Sequence, residues 1–413
     1  MLDDRQGPST KNRDTIMPIE KYRWIILLMV YTSMLVFAFT LQSLPPVLTL
    51  IIKEFNLSHA QAGALMSLFT FPSIFLAVLA GSLSDRWGSF KVGIISLILT
   101  LIGTLILSMS RTFSVAGLGR FVAGIGAVTL CIVAARTLSL WFRGYELGSA
   151  MGIYNTAMPV GSIICFTTFG RWGETAGWRT PIFFTLFVCV LGLAVFLFLY
   201  KPDPNPPQKT AQDKEVKQSV FSSLAKIGIL IWLTGLCWLW FNAAAISFST
   251  FAPDFFVSRG KNIEYAGFLT SLLMWGSLVL SPVIGRVIDK LENNEIFVGA
   301  GGLILALALY FISGTSRFLF PMVLMAIAVA LVPTPVFSYL SKTLPSKDLG
   351  LGFGILNMSS GLGMVFGPYL SGLIRDETGS YEIPFIFLSA LSLLVTVTAV
   401  ILRVRMKRVH NGL

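Results

Sequence analysis

Arg120 is the residue whose type and position most strongly suggest chemistry. It lies in an apolar run over about residues 113–139, about 9 Å from the middle of that run if the run is helical. A charge at the centre of a membrane helix costs about 2.5–3.5 kcal/mol on insertion scales, so this side chain must face the protein interior or a cavity. Two interpretations follow. Arg120 binds a substrate or coupled ion, or it bonds backbone carbonyls of neighbouring helices.

Titratable groups that could work with a buried arginine are absent from the middle of the apolar runs. None of the twenty carboxylates lies near the middle of a run, and the two histidines, His59 and His410, lie near polar ends, which excludes a histidine metal cluster. The four cysteines fall inside apolar runs, which indicates small buried side chains rather than a disulfide framework. A buried arginine without a buried acid favours an anionic ligand, because the anion supplies the countercharge. Proton coupling through the substrate or an end-located carboxylate stays open.

Five polar residues inside apolar runs are further candidates for substrate binding. Asn155 and Asn357 are related by the internal repeat described below, so a pseudo-two-fold axis places one in each half. They could face a central cavity and coordinate a small polar anion, or bond between helices within each half. Gln42, Asn242 and Tyr339 are lesser candidates for the cavity wall.

The elements that must position these residues are membrane helices. The chain has 413 residues, of which 54% are hydrophobic and only 12% charged, whereas a soluble domain carries about 25% charged residues. Apolar runs long enough to cross a bilayer number twelve, which predicts an all-α membrane protein with twelve transmembrane helices. The runs cover about 24–50, 61–83, 92–109, 113–139, 147–169, 179–199, 225–250, 265–285, 296–313, 318–340, 349–373 and 384–402.

The distribution of lysine and arginine predicts the orientation. With the N-terminus in the cytoplasm, inner segments hold 21 basic residues and outer segments eight, so both termini are expected on the cytoplasmic side. This bias accounts for the net charge of +11 without nucleic acid. The proline-rich segment at mid-chain reads as an extended linker. The predicted organisation is a tail (1–23), a six-helix half (24–200), a linker (201–224), a second six-helix half (225–402) and a tail (403–413).

The two predicted halves resemble each other at an offset of about 203 residues. Six spans per repeat is an even number, so both halves enter the membrane in the same direction. In transporters built from such parallel halves, the substrate site lies near the bilayer midplane between the halves. The matches include Ala62-Gly63 with Ala266-Gly267, Leu147-Gly148 with Leu349-Gly350, Gly152 with Gly354, Asn155 with Asn357, and Asp85-Arg86 with Asp289-Lys290.

The segment Gly81-Ser-Leu-Ser-Asp85-Arg86-Trp-Gly88-Ser-Phe-Lys91 lies between spans 2 and 3. It resembles the signature G-x-L-x-D-R-x-G-x-x-[KR] of the major facilitator superfamily, and a degenerate copy lies between spans 8 and 9. The sequence around Arg120 resembles the fourth-span motif of that family, and the resemblance covers essentially the whole chain. Within the family, the chain is most similar to anion porters of the cyanate and nitrate/nitrite type.

The resemblance implies a gate at the cytoplasmic mouth. Asp85 would hold that side closed by pairing with a basic residue and a helix N-terminus, where a carboxylate is favoured. Arg136, near the inner end of span 4, is the candidate partner. The alternative is that the charged turn only anchors the helix at the membrane interface. The predicted gating set is Gly81, Asp85, Arg86, Gly88, Lys91, Arg136 and Asp289.

These features predict a secondary active transporter that moves a small, anionic solute by alternating access. The alternative is a proton-driven exporter of drugs or neutral metabolites. No nucleotide-binding loop is found, and no cofactor, metal or catalytic residue is predicted, so the chain is not expected to be an enzyme. The expected partners are the solute, a co- or counter-transported ion and the lipid bilayer. A monomer in the plasma membrane (the inner membrane in a Gram-negative bacterium) is expected.

Overall fold

The computed structural model describes residues 19–142, 146–202, 228–291, 294–344 and 349–410. Most of the predicted linker, 201–224, lies outside these residues, as does most of the predicted N-terminal tail, so the predicted domain boundaries stay a prediction. Within the described residues all regular structure is helical. The prediction of an all-α membrane protein is therefore confirmed.

In the described part of the first half, nine α-helices form six spans, because spans 1, 2 and 5 are each divided. In chain order the helices are α1 (Ile19–Gln42), α2 (Leu48–Phe55), α3 (His59–Thr70), α4 (Ser73–Trp87), α5 (Ser89–Ser108), α6 (Phe113–Trp141), α7 (Leu147–Ile164), α8 (Gly170–Ala176) and α9 (Arg179–Leu199). A 3₁₀ turn (Pro45–Val47) joins α1 to α2, and a π-helical segment (Cys165–Phe169) joins α7 to α8.

Among its described residues, the second half contains seven α-helices that form six more spans, and span 10 is the divided one. They are α10 (Ile229–Ser258), α11 (Ile263–Leu291), α12 (Asn294–Gly314), α13 (Leu319–Leu331), α14 (Pro333–Thr343), α15 (Leu349–Thr378) and α16 (Glu382–His410). By length and composition, nine segments of the described chain are apolar enough to cross a membrane; spans 2, 5 and 11 are not among them. The helix of span 12 runs to residue 410, beyond the predicted end of the apolar run at 402.

Proline accounts for the division of span 1. Pro45 and Pro46 have no backbone N–H, so the helical hydrogen bonds that the carbonyls of Leu41 and Gln42 would accept cannot form. The helix ends at Gln42 and resumes at Leu48. Carbonyls released in this way inside a bilayer need other donors.

The two halves meet closely at one end of the molecule, here called the outer end after the predicted topology; it carries residues 56–58, 259–262 and 379–381. Span 2 meets span 11 where a Cβ on Gly63 would overlap the carbonyl oxygen of Pro368. Span 5 meets span 8 where a Cβ on Gly267 would overlap the carbonyl oxygen of Phe166. We call these two contacts the outer seams. Glycine at both positions permits backbone contact between halves.

Contacts of this kind are not described towards the inner ends of spans 5 and 11. Three glycines of spans 5 and 11 (Gly148, Gly152 and Gly354) have no described atom within 4 Å of an added Cβ. Hydrogen bonds and ion pairs join the halves towards the outer end, among them the bond from Ser67 Oγ to the carbonyl of Val365 at 2.5 Å. The described part of the protein is therefore closed at the outer end and more open at the inner end.

Gly63→Ala is predicted to lower thermal stability, because the added methyl group meets backbone and overpacking of this kind costs about 1–3 kcal/mol. Gly152→Ala is the matched control: its methyl group enters open space, and alanine is favoured over glycine in a helix by about 0.5–1 kcal/mol. Thermal unfolding of the purified protein in detergent measures both. Equal melting temperatures for the two variants would contradict the packing described for the outer seam between spans 2 and 11.

Candidate functional site

Arg120 lies on α6 and its side chain is fully buried. Its Nη1 donates to the carbonyl of Thr40 at 2.6 Å, and its Nε donates to the carbonyl of Leu65 at 3.1 Å. Its Nη2 lies 3.5 Å from the carbonyl oxygen of Leu41. Arg120 thus joins spans 1, 2 and 4 inside the first half.

The break in span 1 explains this arrangement. Leu41 is four residues before Pro45, so its carbonyl has no helical donor. Thr40 and Leu41 lie in the last turn of α1, where unpaired carbonyls give the helix end a partial negative charge that a cation stabilises. Arg120 supplies both the donors and the charge that this helix end needs.

An aromatic ring completes the surroundings of the guanidinium. The Cζ atom of Arg120 lies 4.3 Å from the centre of the Phe69 ring, a distance at which a cation is attracted to the ring face. With three backbone carbonyls and one ring around it, the guanidinium has no exposed surface in this conformation. Of the two interpretations of Arg120, this geometry favours the clamp between helices.

Asn155 and Asn357 are both exposed, on α7 and α15 respectively. Each lies eleven residues from a residue that contacts the other half at the outer end, Phe166 and Pro368 respectively. Eleven residues are close to three helical turns, so each asparagine shares a face with that contact residue, about 16 Å further in. Both asparagines therefore lie on helix faces directed towards the opposite half, further towards the inner end.

The other three candidates lie apart from the asparagines. Gln42 ends α1 beside the Arg120 site; it is buried, and its Nε2 has no hydrogen-bond partner among the described residues. The Nδ2 of Asn242 donates to the carbonyl of Trp238 in its own helix at 2.7 Å. Tyr339 lines a cavity of about 10 Å³ inside the second half, together with the buried residues Asn294 and Glu295. The six predicted binding residues do not form one cluster.

The predicted gate at the inner end is only partly described. Gly88 has a φ of +82° between α4 and α5, a conformation that glycine adopts without strain, which gives a structural reason for this glycine. Arg86 and Lys91 are exposed and Arg136 is half-buried. The surroundings of Gly81 and the side chains of Asp85 and Asp289 lie outside the described residues. The predicted pairing of Asp85 with Arg136 stays a prediction.

The sequence matches the model of a known protein family over most of its length. The model of the Major Facilitator Superfamily matches residues 30–263 and 258–412. The chain belongs to the Major Facilitator Superfamily. The resemblance read from the loop between spans 2 and 3 is confirmed, and so is the prediction that the chain is a multi-pass membrane transporter rather than an enzyme.

Curated relatives within the family carry different small solutes. The chain is 24% identical over 370 residues to the probable sulfoacetate transporter SauU of Cupriavidus necator, covering 83% of this chain and 85% of the relative. It is 23% identical to the human lysosomal dipeptide transporter MFSD1, covering 87% and 81%. It is 26% identical to a nitrite extrusion protein of Bacillus subtilis, covering 81% and 84%. A transported small molecule is common to all three.

A solved structure shows the same fold. The crystal structure of the nucleoside transporter NupG superposes with a TM-score of 0.73 at 13% identity, covering 92% of this chain and 98% of that one. The two parallel six-helix halves of this family account for the twelve spans described above. The predicted fold class is confirmed in this respect too.

Sequence reasoning missed one polar cluster at the outer end. His59 and Thr49 of the first half meet Asp254, Asp376 and Tyr381 of the second. Asp254 lies near the end of its span as expected, yet it is only 8% exposed. The repeat offered a signal, because Ala62 pairs with Ala266, which places His59 opposite Ile263. His59 is thus asymmetric between halves, as is Arg120, whose repeat-related position (about 323 or 324) holds an apolar residue.

Arg120→Met is predicted to lower the free energy of unfolding in the absence of any solute. The change leaves desolvated carbonyls on spans 1 and 2 without a donor, at about 1–3 kcal/mol for each such group. Arg120→Lys should be intermediate, because lysine keeps the charge and loses the planar fork. Thermal unfolding in detergent measures the effect.

Arg111→Met is the matched control, since Arg111 is exposed at the outer end and should unfold as the native protein does. The opposite pattern would support the substrate role: Arg120→Met with native stability when unliganded, together with loss of stabilisation by solute, would contradict the clamp.

Proposed function

We propose that this protein is a secondary active transporter that moves a small anion by alternating access, and that the structure represents its state closed at the outer end. The observation that carries the proposal is the asymmetry between ends. The halves touch backbone to backbone at Gly63 and Gly267, whereas Gly152 and Gly354 face open space. A solute bound between the halves in this state has access from the inner end only.

The proposal of an anion is supported by the sequence and by two relatives. No carboxylate lies near the middle of a span, so a negative solute meets little repulsion along the path. The names of two relatives specify sulfoacetate and nitrite, which are anions. Because another relative is named as a dipeptide transporter, a zwitterionic solute is also a candidate.

We assign the binding of the solute to the gap between the halves, with Asn155 and Asn357 as donors. An asparagine amide donates two hydrogen bonds through its nitrogen, and one from each half could hold a single small anion. Arg120 has a supporting role in this proposal: it fixes the bend of span 1 and does not contact the solute in this state. Gln42, Asn242 and Tyr339 remain candidates for states in which the spans move.

The orientation and setting of the transporter are part of the proposal. The distribution of basic residues supports a topology with both termini in the cytoplasm, in which the inner end opens to the cytoplasm. We further propose that the protein lies in the plasma membrane, is a monomer and couples transport to an ion.

Counterflow in proteoliposomes tests the solute class. A panel of small sulfonates, carboxylates and nitrite, with a dipeptide and a nucleoside for comparison, should show exchange of at least one anion by the native protein. Asn155→Ala and Asn357→Ala should each raise the KM for that anion about tenfold, because a hydrogen bond to a charged group contributes about 1.5 kcal/mol or more.

Ile153→Ala is the matched control. Ile153 is exposed and lies two residues before Asn155, so it is on a different face of the same helix. The KM of this variant should equal that of the native protein. Unchanged KM values in both asparagine variants would remove them from the site. Expulsion of a cationic dye down a proton gradient, with no exchange of any anion, would establish the exporter instead.

A further inference from the structure

His59 lies between two carboxylates that belong to the other half of the protein. It is the first residue of α3. Its Nδ1 lies 2.9 Å from Oδ1 of Asp376, near the end of α15. Its Nε2 lies 3.5 Å from Oδ2 of Asp254, near the end of α10. The ring therefore bridges the two carboxylates across the boundary between halves.

Only the protonated ring suits both neighbours. A neutral imidazole has one N–H and one lone pair, whereas the imidazolium has two N–H groups. A carboxylate faces each nitrogen, so the neutral ring would direct its lone pair at an anionic oxygen. Because the carboxylates lie on opposite sides of the ring, they do not converge as metal ligands, and the described residues contain no cluster suited to a metal.

Other contacts across the same boundary hold both carboxylates in place. Asp376 accepts the backbone N–H groups of His59 and Ala60 at 2.8 Å each, and so caps the N-terminus of α3 from the opposite half. Asp254 accepts a hydrogen bond from Thr49 Oγ1 of the first half at 2.7 Å, and another from the hydroxyl group of Tyr381 within its own half. Neither carboxylate can follow His59 if the outer end opens, because both belong to the other half.

The charged and titratable groups that face His59 are Asp254 on α10, Asp376 and Arg375 on α15, and Tyr381 after α15. Hydrogen bonding to Asp254 is the largest influence and raises the pKa of the His59 imidazole; burial and Arg375 oppose the increase, and the net direction is upward. The side chain is 20% exposed, so water can deliver the proton.

The sign of the pH effect follows from this geometry. When the outer end is closed, His59 holds its proton more tightly than when it is separated from the carboxylates. The stabilisation of the closed state is complete below the ordinary pKa of histidine, about 6.5. It is lost as the pH rises through the raised pKa of the closed state. Acid at the outer side therefore favours closure.

The other outer seam offers a contrast within the same molecule. Ile263, the repeat counterpart of His59, packs at the seam between spans 5 and 8, where a Cβ on Gly170 would lie 3.2 Å from its side chain. This contact is apolar, and the ion pair beside it, between Arg171 and Glu264 at 3.7 Å, is solvent-exposed and contains no histidine. We therefore place the response to acidity near neutral pH at the contacts of His59.

We propose that His59, Asp254 and Asp376 form a proton-binding site whose occupation couples acidity at the outer side to closure of the outer end. The inference rests on the proposed alternating-access function and identifies the proton as a ligand of that cycle. Linkage makes the effect reciprocal: closure of the outer end draws in a proton, and opening releases it.

The test measures the distance across the outer end as a function of pH, which requires no knowledge of the solute. Spin labels at Arg111→Cys and Arg317→Cys, both exposed at the outer end of opposite halves, report that distance by double electron–electron resonance in the full-length protein in nanodiscs. The ratio of the population at the short, closed distance to the population at the long, open distance should rise several-fold when the pH falls from about 8.5 to about 5.5. This range spans the ordinary pKa of histidine.

His59→Gln should abolish most of this rise, whereas His410→Gln, which removes the other histidine of the chain, should keep it. Asp376→Asn is a second variant that leaves His59 in place: its amide oxygen can still accept one of the two N–H groups of α3 while the charge is lost, and the rise should be reduced. A rise that persists in His59→Gln, or a native protein without any rise, would overturn the inference. A native protein that shows the rise but exchanges no solute would instead count against the proposed transport function.

Discussion

Every backbone carbonyl inside a bilayer needs a donor from the protein itself, and this constraint organises the first half of the molecule. Span 1 contains two prolines that cannot donate, so its helix ends at Gln42 and leaves carbonyls exposed to a medium without water. Arg120, from span 4, donates to carbonyls of spans 1 and 2 at once. The free-energy cost of burying this charge is offset because the guanidinium lies at the negative end of a helix and against an aromatic ring.

The broken span 1 also shapes the outer end. After the break, α2 places Thr49 against Asp254 of the second half, and the following turn leads into α3 with His59 at its first position. The seam between spans 2 and 11 is therefore polar and charged, while the seam between spans 5 and 8 is formed by backbone contact, apolar side chains and a solvent-exposed ion pair between Arg171 and Glu264. Both seams depend on glycine where backbones meet. One protein thus closes the same end by two different kinds of interaction.

The sequence predicted the fold well because its strongest signals are local. Apolar runs, proline, glycine and the repeat determine the number of spans and their pairing, and the loop from Gly81 to Lys91 identified the family. The site was predicted less well. Arg120 was correctly expected to face the protein interior. Only the structure shows that its N–H groups donate to the carbonyls of Thr40 and Leu65, because every residue has a backbone carbonyl and a sequence does not indicate which ones an arginine reaches. The His59 cluster joins residues more than 300 positions apart, such as His59 and Asp376. Its one local signal was that the counterpart of His59 in the repeat is an isoleucine.

Alternating access requires that the outer seams separate during transport. A disulfide across one seam tests this most directly, with Ser67→Cys and Val365→Cys introduced after the four native cysteines are replaced by alanine. Ser67 already contacts the backbone of Val365, and mass spectrometry would verify the bond. Oxidation should stop solute counterflow and reduction should restore it, while the single variant Ser67→Cys stays active under both conditions. Counterflow at the same rate in the oxidised and reduced double variant would show that the outer end need not open, and would contradict the account.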